Sequence, residues 1–165
     1  MRRKPSSSNI YIVLHNVRSI LNVGSIFRTS DATGVEKIYL CGYTPTPKDH
    51  PEKMKKTAIG AEEYIRWESH KQTWRILEKL RSKGMNIVAL ERLGKPIKGA
   101  PSCKNIFKYK VKYPVVLVVG HEIKGLSDKI LKYCDACLEI PMYGRKESLN
   151  VAVAVGIALY ALRQK

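Results

Sequence analysis

The amino-acid sequence predicts an α/β fold with a mostly parallel sheet flanked by helices. Short apolar segments alternate with helical patterns along the chain, and one segment, Val115–Val119, is apolar at every position. Alternating strands and helices are typical of parallel sheets, whose central strands are buried on both faces. At 165 residues the chain is expected to form one domain, residues 1–165.

Strands are predicted where apolar runs lie between turn-forming residues. They cover Ile10–Leu14, Val35–Cys41, Asn86–Leu90, Pro114–Val119 and Ala136–Ile140. Lysines alternate with apolar residues from Phe107 to Tyr113, which predicts a further strand with one charged face. Helices are predicted where apolar residues recur at helical spacing between capping residues. They cover about 22–33, closed by Gly34, then 72–83, 127–133 with Ser127 as its cap, and 150–163.

The last predicted helix is apolar on every side, because no charged residue lies between Val151 and Leu162. This segment is much shorter than the ~20 residues that a bilayer span needs. A helix with no polar face must be covered on more than one side. We therefore expect a homodimer with this helix in or beside the interface, and burial within one chain is the alternative.

The charge balance favours a polyanionic partner. The chain has 30 Lys+Arg and 14 Asp+Glu, a net charge of +16, and such a surplus attracts nucleic acid. A membrane surface is less favoured, because no basic amphipathic helix or lipidation motif is seen. The residues expected to hold a nucleic-acid backbone are Lys53, Lys55, Lys56, Arg92 and Lys95, with the basic stretch continuing to Lys112. Nearby prolines predict a loop for Lys48–Lys56.

The N-terminus favours a cytoplasmic protein. Met1–Pro5 is basic, but only the short apolar stretch Ile10–Leu14 follows it, without a cleavage site of small residues. A secretory signal is therefore not predicted.

The cysteines are predicted to be ordinary buried thiols. Cys134 and Cys137 have CxxC spacing, but Cys41 and Cys103 are isolated and the histidines are scattered. A zinc site would need a second pair of ligands, and a redox pair would begin a helix rather than follow one. No metal is expected.

Polar residues cluster in three segments that contain glycine. They are Asn22–Gly34 with Arg28, Gly120–Ser127 with Glu122, and Ile140–Asn150 with Ser148. Ligands of parallel sheets bind beyond the carboxyl ends of strands, where the second and third segments lie. The alternatives are a surface salt bridge at Arg28, a solvated turn at Glu122 and simple helix caps at Ser148 or Asn150. The sequence lacks the GxGxxG and P-loop patterns of nucleotide-binding folds.

Together these segments resemble the motifs of the SpoU (TrmH-like) branch of the SPOUT RNA 2′-O-methyltransferases. The matching patterns are Asn22-x-Gly24-x3-Arg28-Thr29 with Gly34, then Val118-Val119-Gly120-x-Glu122-x2-Gly125-Leu126-Ser127, and Ile140-Pro141-Met142-x5-Ser148-Leu149-Asn150-Val151-Ala152-x-Ala154. Residues 57–62 are similar to a further family segment, whereas His121 stands where many members have Asn. The motifs occur in the family's order and span most of the chain, which makes the resemblance strong.

The resemblance implies a fold, a cofactor and a reaction. The family fold is an α/β domain with a C-terminal deep trefoil knot, which holds S-adenosylmethionine. The reaction methylates a ribose 2′-hydroxyl of tRNA or rRNA, and members act as homodimers with the site near the interface. The implied catalytic residues are Arg28, Asn22, Glu122, Ser148 and Asn150. The implied cofactor-binding residues are Leu90, Glu91, Gly120, Glu122, Ile140, Met142, Ser148 and Leu149.

Two roles stay open for Arg28: a literal base, or a cation that stabilises the developing alkoxide, because guanidinium resists deprotonation. A non-catalytic basic RNA-binding or ribosome-assembly protein is the alternative function, and a SPOUT enzyme that methylates a base is another. The presence of Arg28, Glu122 and Asn150 favours the ribose enzyme. Because no separate RNA-binding extension is expected, the dimer surface or a partner protein would select the RNA.

Overall fold

The computed structural model describes residues 8–164, which form one seven-stranded sheet. The basic N-terminal residues Met1–Pro5 lie outside the described part. The strand order is β3-β2-β1-β6-β4-β7-β5, and every neighbouring pair is parallel. The predicted α/β class with a parallel sheet is confirmed, and the trefoil knot stays a prediction.

The strands are β1 (Ile10–His15), β2 (Lys37–Cys41), β3 (Trp67–His70), β4 (Asn86–Leu90), β5 (Cys103–Asn105), β6 (Val115–Val119) and β7 (Ala136–Glu139). The helices are α1 (Ile20–Thr33), α2 (Pro51–Ala58), α3 (Ala61–Tyr64), α4 (Thr73–Ser82), α5 (Asp128–Leu131) and α6 (Val151–Arg163). A 3₁₀ turn covers Ile106–Lys108. Among the helices of residues 8–164, none combines the length and the apolarity that a bilayer span requires.

Each face of the sheet packs its own apolar core. On one face, α1, α2 and α6 cover residues such as Ile12, Leu117 and Leu138. On the other face, α4 and α5 cover residues such as Val116 and Val118. Because β6 lies near the middle of the sheet, alternate side chains point into both cores, which explains its unbroken apolar sequence.

Capping residues set the ends of α1 and α6; Gly34 and Asn150 are among the caps that the sequence indicates, whereas Ser19 is not. Ser19 Oγ accepts from the N–H of Asn22 at the start of α1, and Gly34, with φ 69°, closes that helix. Asn150 caps α6 by accepting from the N–H groups of Ala152 and Val153. These caps satisfy N–H groups that have no partner within the helix.

Two predicted elements are wrong. The segment Lys48–Lys56 is not a loop throughout, because Pro51 begins α2; proline lacks an N–H but fits the first turn of a helix. The segment Phe107–Tyr113 is not a strand. Its alternation is real, since Tyr109, Val111 and Tyr113 pack against the core, but within residues 8–164 it pairs with no strand. The sequence also gave no signal for α3, β3 and β5.

The prediction that all cysteines are ordinary thiols is wrong for one pair. Cys103 and Cys137 are opposite each other in the register of β5 and β7 and form a disulfide. The other two are buried free thiols, as predicted. Burial raises the pKa of Cys41 and of Cys134 to about 12, so both stay protonated. Spacing along the sequence could not reveal the disulfide, because its partners are 34 residues apart.

Candidate active site

A cavity of about 330 Å³ opens where β4, β6 and β7 end, at the carboxyl edge of the sheet. The loops after these strands form its walls together with the start of α6. All of the predicted cofactor-binding residues line it: Leu90, Glu91, Gly120, Glu122, Ile140, Met142, Ser148 and Leu149. Val119, Ile123, Glu147, Val151 and Ala154 also line it, although the sequence did not assign them to the site. Four of them are apolar and cannot be told in sequence from core residues, and Glu147 is an exposed acid of a kind common on any protein surface.

Two glycines allow the loop after β6 to fold back on itself. A Cβ at Gly120 would lie 2.6 Å from the backbone nitrogen of Leu126, so only glycine fits there. Gly125 has φ 64°, and its N–H donates to the carbonyl of His121. The loop therefore passes close to the cavity as bare backbone.

Glu91 fixes the wall between β4 and this loop. Its Oε2 accepts from the N–H of Leu126 at 2.8 Å, and its Oε1 accepts from the N–H of Arg92 at 3.0 Å. The Arg92 guanidinium in turn donates to the carbonyl of Glu147 at 3.1 Å. These bonds join the three loops around the cavity.

Glu122 lies between the cavity and the start of α1. Its carboxylate accepts from the N–H of Ser19 at 3.0 Å, the N–H of Arg18 at 3.1 Å and the Asn22 side-chain amide at 3.1 Å. Burial alone would raise the pKa of Glu122, but these hydrogen bonds outweigh it and lower the pKa. The side chain is therefore a fixed anion at neutral pH rather than a solvated turn residue.

Asn22 and Asn150 extend this network. The side-chain amide of Asn150 donates to Oδ1 of Asn22 at 3.1 Å, while its own Oδ1 caps α6. Asn150 thus caps a helix and contacts the site, and Ser148 lines the cavity. The structure brings Asn22, Glu122, Ser148 and Asn150 to one place.

The structure does not bring Arg28 to this place. Arg28 is exposed on α1 and lines none of the cavities described within residues 8–164. Six residues along a helix turn by about 600°, so Arg28 points roughly 120° away from Asn22. The spacing gives both the distance along the helix, less than two turns, and this difference in face, but the sequence prediction considered only the distance.

The predicted RNA-binding residues fall into two groups. Arg92 lines the cavity, and Lys95 is exposed three residues further along the same loop. Lys53, Lys55 and Lys56 are exposed on α2, a helix that packs beside α1. Further along the basic stretch, Lys104, Lys108, Lys110 and Lys112 line a separate depression that also includes Asn86 and Asp135, at the opposite ends of β4 and β7.

The chain is similar to characterised RNA methyltransferases over most of its length. The tRNA (guanosine(18)-2′-O)-methyltransferase of Aquifex aeolicus is 37% identical over 161 residues, 95% of this chain and 70% of that protein. The chain spans 59% of the length of several longer curated relatives.

Solved structures share the fold. An AdoMet-bound rRNA methyltransferase from Sinorhizobium meliloti matches with a TM-score of 0.84 and 30% identity, over 97% of this chain and 57% of that chain. A second solved structure, whose description concerns the 2-OH methylation of C/U34 on tRNA, matches with a TM-score of 0.78 and 25% identity, over 94% of both chains.

The sequence model of one family, described as the SpoU rRNA Methylase family, matches residues 9–160. The match confirms the resemblance that the three motifs indicate. Because it covers nearly the whole chain, the protein belongs to the SpoU rRNA methylase family.

Proposed function

We propose that the protein is an S-adenosylmethionine-dependent RNA methyltransferase that modifies a ribose 2′-hydroxyl of tRNA or rRNA. The observation that carries this proposal is the convergence of Glu122, Ser148 and the Gly120 loop on one cavity, with Asn22 and Asn150 bonded beside it. The names of the relatives support the reaction class, since one is a tRNA guanosine 2′-O-methyltransferase and one solved rRNA methyltransferase holds AdoMet.

The cavity suits an adenosyl cofactor. Leu90, Val119, Ile140 and Leu149 give it apolar walls, which favour an aromatic base, and the bare backbone at Gly120 offers peptide groups for hydrogen bonds. We propose that the loops after β4, β6 and β7, which contain Glu91, Gly120 and Met142, hold the cofactor. When bound, it supplies an electrophilic methyl group whose carrier leaves as a neutral thioether.

The chain's own residues would align the ribose and assist the loss of its hydroxyl proton. Glu122 holds the side chain of Asn22 in one orientation, and Asn150 holds it from the other side. Ser148 contributes a hydroxyl to the cavity wall. We assign Glu122 and Asn150 to positioning, because their polar atoms are engaged with other protein groups.

Arg28 is proposed to act in the cavity of a second protomer. It is exposed and does not line the cavity of its own chain. Both chemical roles, base and cation for the developing alkoxide, are compatible with this placement. The proposal requires a dimer that brings α1 of one protomer to the cavity of the other.

The exposed face of α6 supports a homodimer. Val153 and Tyr160, seven residues apart and so on one stripe, are each 52% exposed, although the opposite side of α6 packs against α1. An exposed apolar stripe of this kind is typical of a subunit interface. The helix is therefore only half covered within one chain, which favours the dimer over burial inside a monomer.

The RNA backbone is proposed to lie along Lys53, Lys55 and Lys56 of α2 and along Arg92 and Lys95 beside the cavity. All five side chains are exposed. Phosphate contacts of this type position the RNA without reading its sequence. We propose a cytoplasmic location, which agrees with a substrate of tRNA or rRNA.

The test is a methylation assay with S-adenosylmethionine and total RNA from cells that lack the gene, followed by nucleoside analysis. A 2′-O-methylated nucleoside supports the proposal. A base-methylated nucleoside would instead favour a SPOUT base methyltransferase. RNA binding without any cofactor binding in a titration would favour the non-catalytic alternative.

A further inference from the structure

A second depression, of about 400 Å³, lies directly beside the cavity. Arg18, Tyr43, His121, Ile123 and Lys124 line it, and none of the functions proposed above uses it. His121 and Ile123 also line the cavity, so the two depressions share a wall. Glu122 lies within that wall, between the two shared residues. Anything bound in the second depression therefore lies next to the proposed reaction centre.

The loop that carries Tyr43 is held in one conformation. The backbone of Gly42 has φ 68° and that of Asn16 has φ 58°, the left-handed region that non-glycine residues rarely adopt. Oδ1 of Asn16 accepts from the N–H of Tyr43 at 3.2 Å, and a Cβ at Gly42 would lie 2.9 Å from Cγ of Asn16. The tight turn after β2 thus fixes where the Tyr43 backbone lies.

The tyrosine ring itself is open to solvent. Tyr43 is 56% exposed, and its ring meets His121 edge to face with centroids 6.4 Å apart. Ile123, on the same wall, is 90% exposed. An aromatic ring that is held by its backbone and left uncovered offers a flat apolar face to a ligand.

Two cations line the same depression as this ring. Arg18 and Lys124 are both exposed, and within residues 8–164 neither side chain forms an ion pair. The N–H of Arg18 donates to Glu122, and the N–H of Lys124 donates to Nδ1 of His121, so both backbones are fixed. An aromatic platform that shares a depression with two unpaired cations matches a nucleotide, with its flat base and its phosphates.

We propose that this depression binds one nucleotide of the substrate RNA, with its base stacked on Tyr43 and its phosphates beside Arg18 and Lys124. The inference rests on the proposed function and deepens it, because the ribose of such a nucleotide would face the wall that contains Glu122. A protein partner would also cover an apolar ring, but the paired cations favour a polyanion.

The first experiment replaces Tyr43 and follows RNA kinetics with bulk tRNA and rRNA from cells that lack the gene. Tyr43→Ala is expected to raise the KM for RNA on the order of tenfold, since one base–aromatic stack contributes that much to binding, while the cofactor affinity is unchanged. Tyr43→Trp should restore the KM, because tryptophan also stacks. Tyr64→Ala is the matched control: Tyr64 is 78% exposed on α3 and lines none of the cavities described within residues 8–164. A wild-type KM in Tyr43→Ala overturns the inference.

The second experiment measures how RNA binding depends on salt. The double variant Arg18→Gln/Lys124→Gln should reduce the slope of log affinity against log salt by about 1.4 to 1.8, because two phosphate contacts are lost. An unchanged slope would overturn the assignment of the cations. The Arg18 change leaves its backbone bond to Glu122 in place.

Ultraviolet crosslinking separates this inference from the proposed function, because it needs no methyl transfer. Wild-type protein irradiated with the same bulk RNA should yield a nucleotide attached to the Tyr43 peptide. If the protein methylates RNA, but no crosslink forms at Tyr43 and Tyr43→Ala has a normal KM, only the nucleotide site at Tyr43 is contradicted. If the crosslink forms at Tyr43 but the protein methylates no RNA, only the proposed methyltransferase function is contradicted.

Discussion

The side-chain amide of Asn150 donates to Oδ1 of Asn22, 3.1 Å away and 128 residues earlier in the sequence. The bond joins the start of α6 to the first turn of α1, directly beside Glu122. Asn150 uses its oxygen for the helix cap and its nitrogen for Asn22, so the two tasks can be separated by mutation.

Asn150→Asp keeps the capping oxygen but loses the donor to Asn22. We expect it to unfold with nearly the wild-type free energy, because aspartate caps as well as asparagine, and yet to lose most methylation activity. Asn150→Ala should lose activity and also about 1 kcal/mol of stability with the cap. Urea unfolding and RNA methylation measured on both variants check this. Wild-type activity in Asn150→Asp would show that the hydrogen bond between Asn150 and Asn22 is not needed for methylation.

Heterodimers test whether Arg28 acts on the partner's cavity. Arg28→Ala and Ser148→Trp, which fills the cavity from its exposed rim, should each be inactive as homodimers. Co-expressed with two tags and purified as the mixed dimer, they should regain about half of the wild-type activity, because one intact cavity then faces one intact arginine.

The matched control carries both changes in one chain and pairs it with the wild-type chain. That mixed dimer should be inactive if Arg28 acts across the interface, since each site then has one defect. If Arg28 acts in its own chain, the first mixed dimer should be inactive, and the control should keep about half of the wild-type activity.

The exposed stripe of α6 predicts the oligomeric state. Val153→Glu places a charge on this stripe and should convert a dimer into a monomer in sedimentation at micromolar concentration, with methylation lost. Tyr64→Glu, at a more exposed apolar position on α3, should leave the dimer intact. A wild-type chain that sediments as a monomer would contradict both the dimer and the role across the interface.

Glu122 predicts a pH dependence of stability. Its folded pKa is lowered, so the stabilising contribution is present above the unfolded pKa of about 4.5 and is lost as the pH falls through the folded pKa. Glu122→Gln has no ionisable group there. The difference in unfolding free energy between wild type and variant should therefore shrink as the pH falls below 4.5, which urea titrations at a series of pH values would show. A difference that grows towards acid would reverse the assignment.

The Cys103–Cys137 disulfide predicts a redox-dependent stability. It closes a segment of 34 residues, and such a link contributes about 2–4 kcal/mol. Cys103→Ser should lower the free energy of unfolding by this amount without reductant. Dithiothreitol should lower the wild-type value to that of the variant and leave the variant unchanged; a wild type that is insensitive to reductant would exclude the bond in solution.

The central part of the fold could be predicted because burial there leaves an unambiguous pattern. Val115–Val119 and Asn86–Leu90 have the predicted bounds to within a residue, and both are apolar because they lie inside the sheet. Peripheral elements could not be predicted in the same way. Cys103–Asn105 is only three residues long and partly exposed, so it lacks both the length and the apolarity of a strand signal.

Other differences arise because one pattern fits two structures. Tyr109, Val111 and Tyr113 alternate with lysines and are partly buried, as in a strand, but no strand in the described part of the chain pairs with this segment. Proline interrupts a helix in its middle but is favoured in its first turn. Pro51 alone therefore does not distinguish a loop from the start of α2.

The site residues also divide into those whose position could be predicted from the sequence and those whose position could not. The motif residues Glu122, Ser148 and Asn150 could be placed together because each follows a strand that ends at one edge of the sheet. The position of Arg28 could not, because its face on α1 depends on how that helix rotates against the sheet. The role of Tyr43 also escaped prediction, since its importance comes from the neighbouring Arg18 and Lys124, which are distant in sequence.

The two hydrogen bonds from the N–H groups of Arg18 and Ser19 to the Glu122 carboxylate join separate segments of the chain. One carboxylate bridges the turn after β6 and the two residues that precede α1, so displacing that turn would stretch or break bonds at the start of the helix. Because α1 also packs against α2 and α6, the bridge anchors this wall of the cavity to the body of the domain.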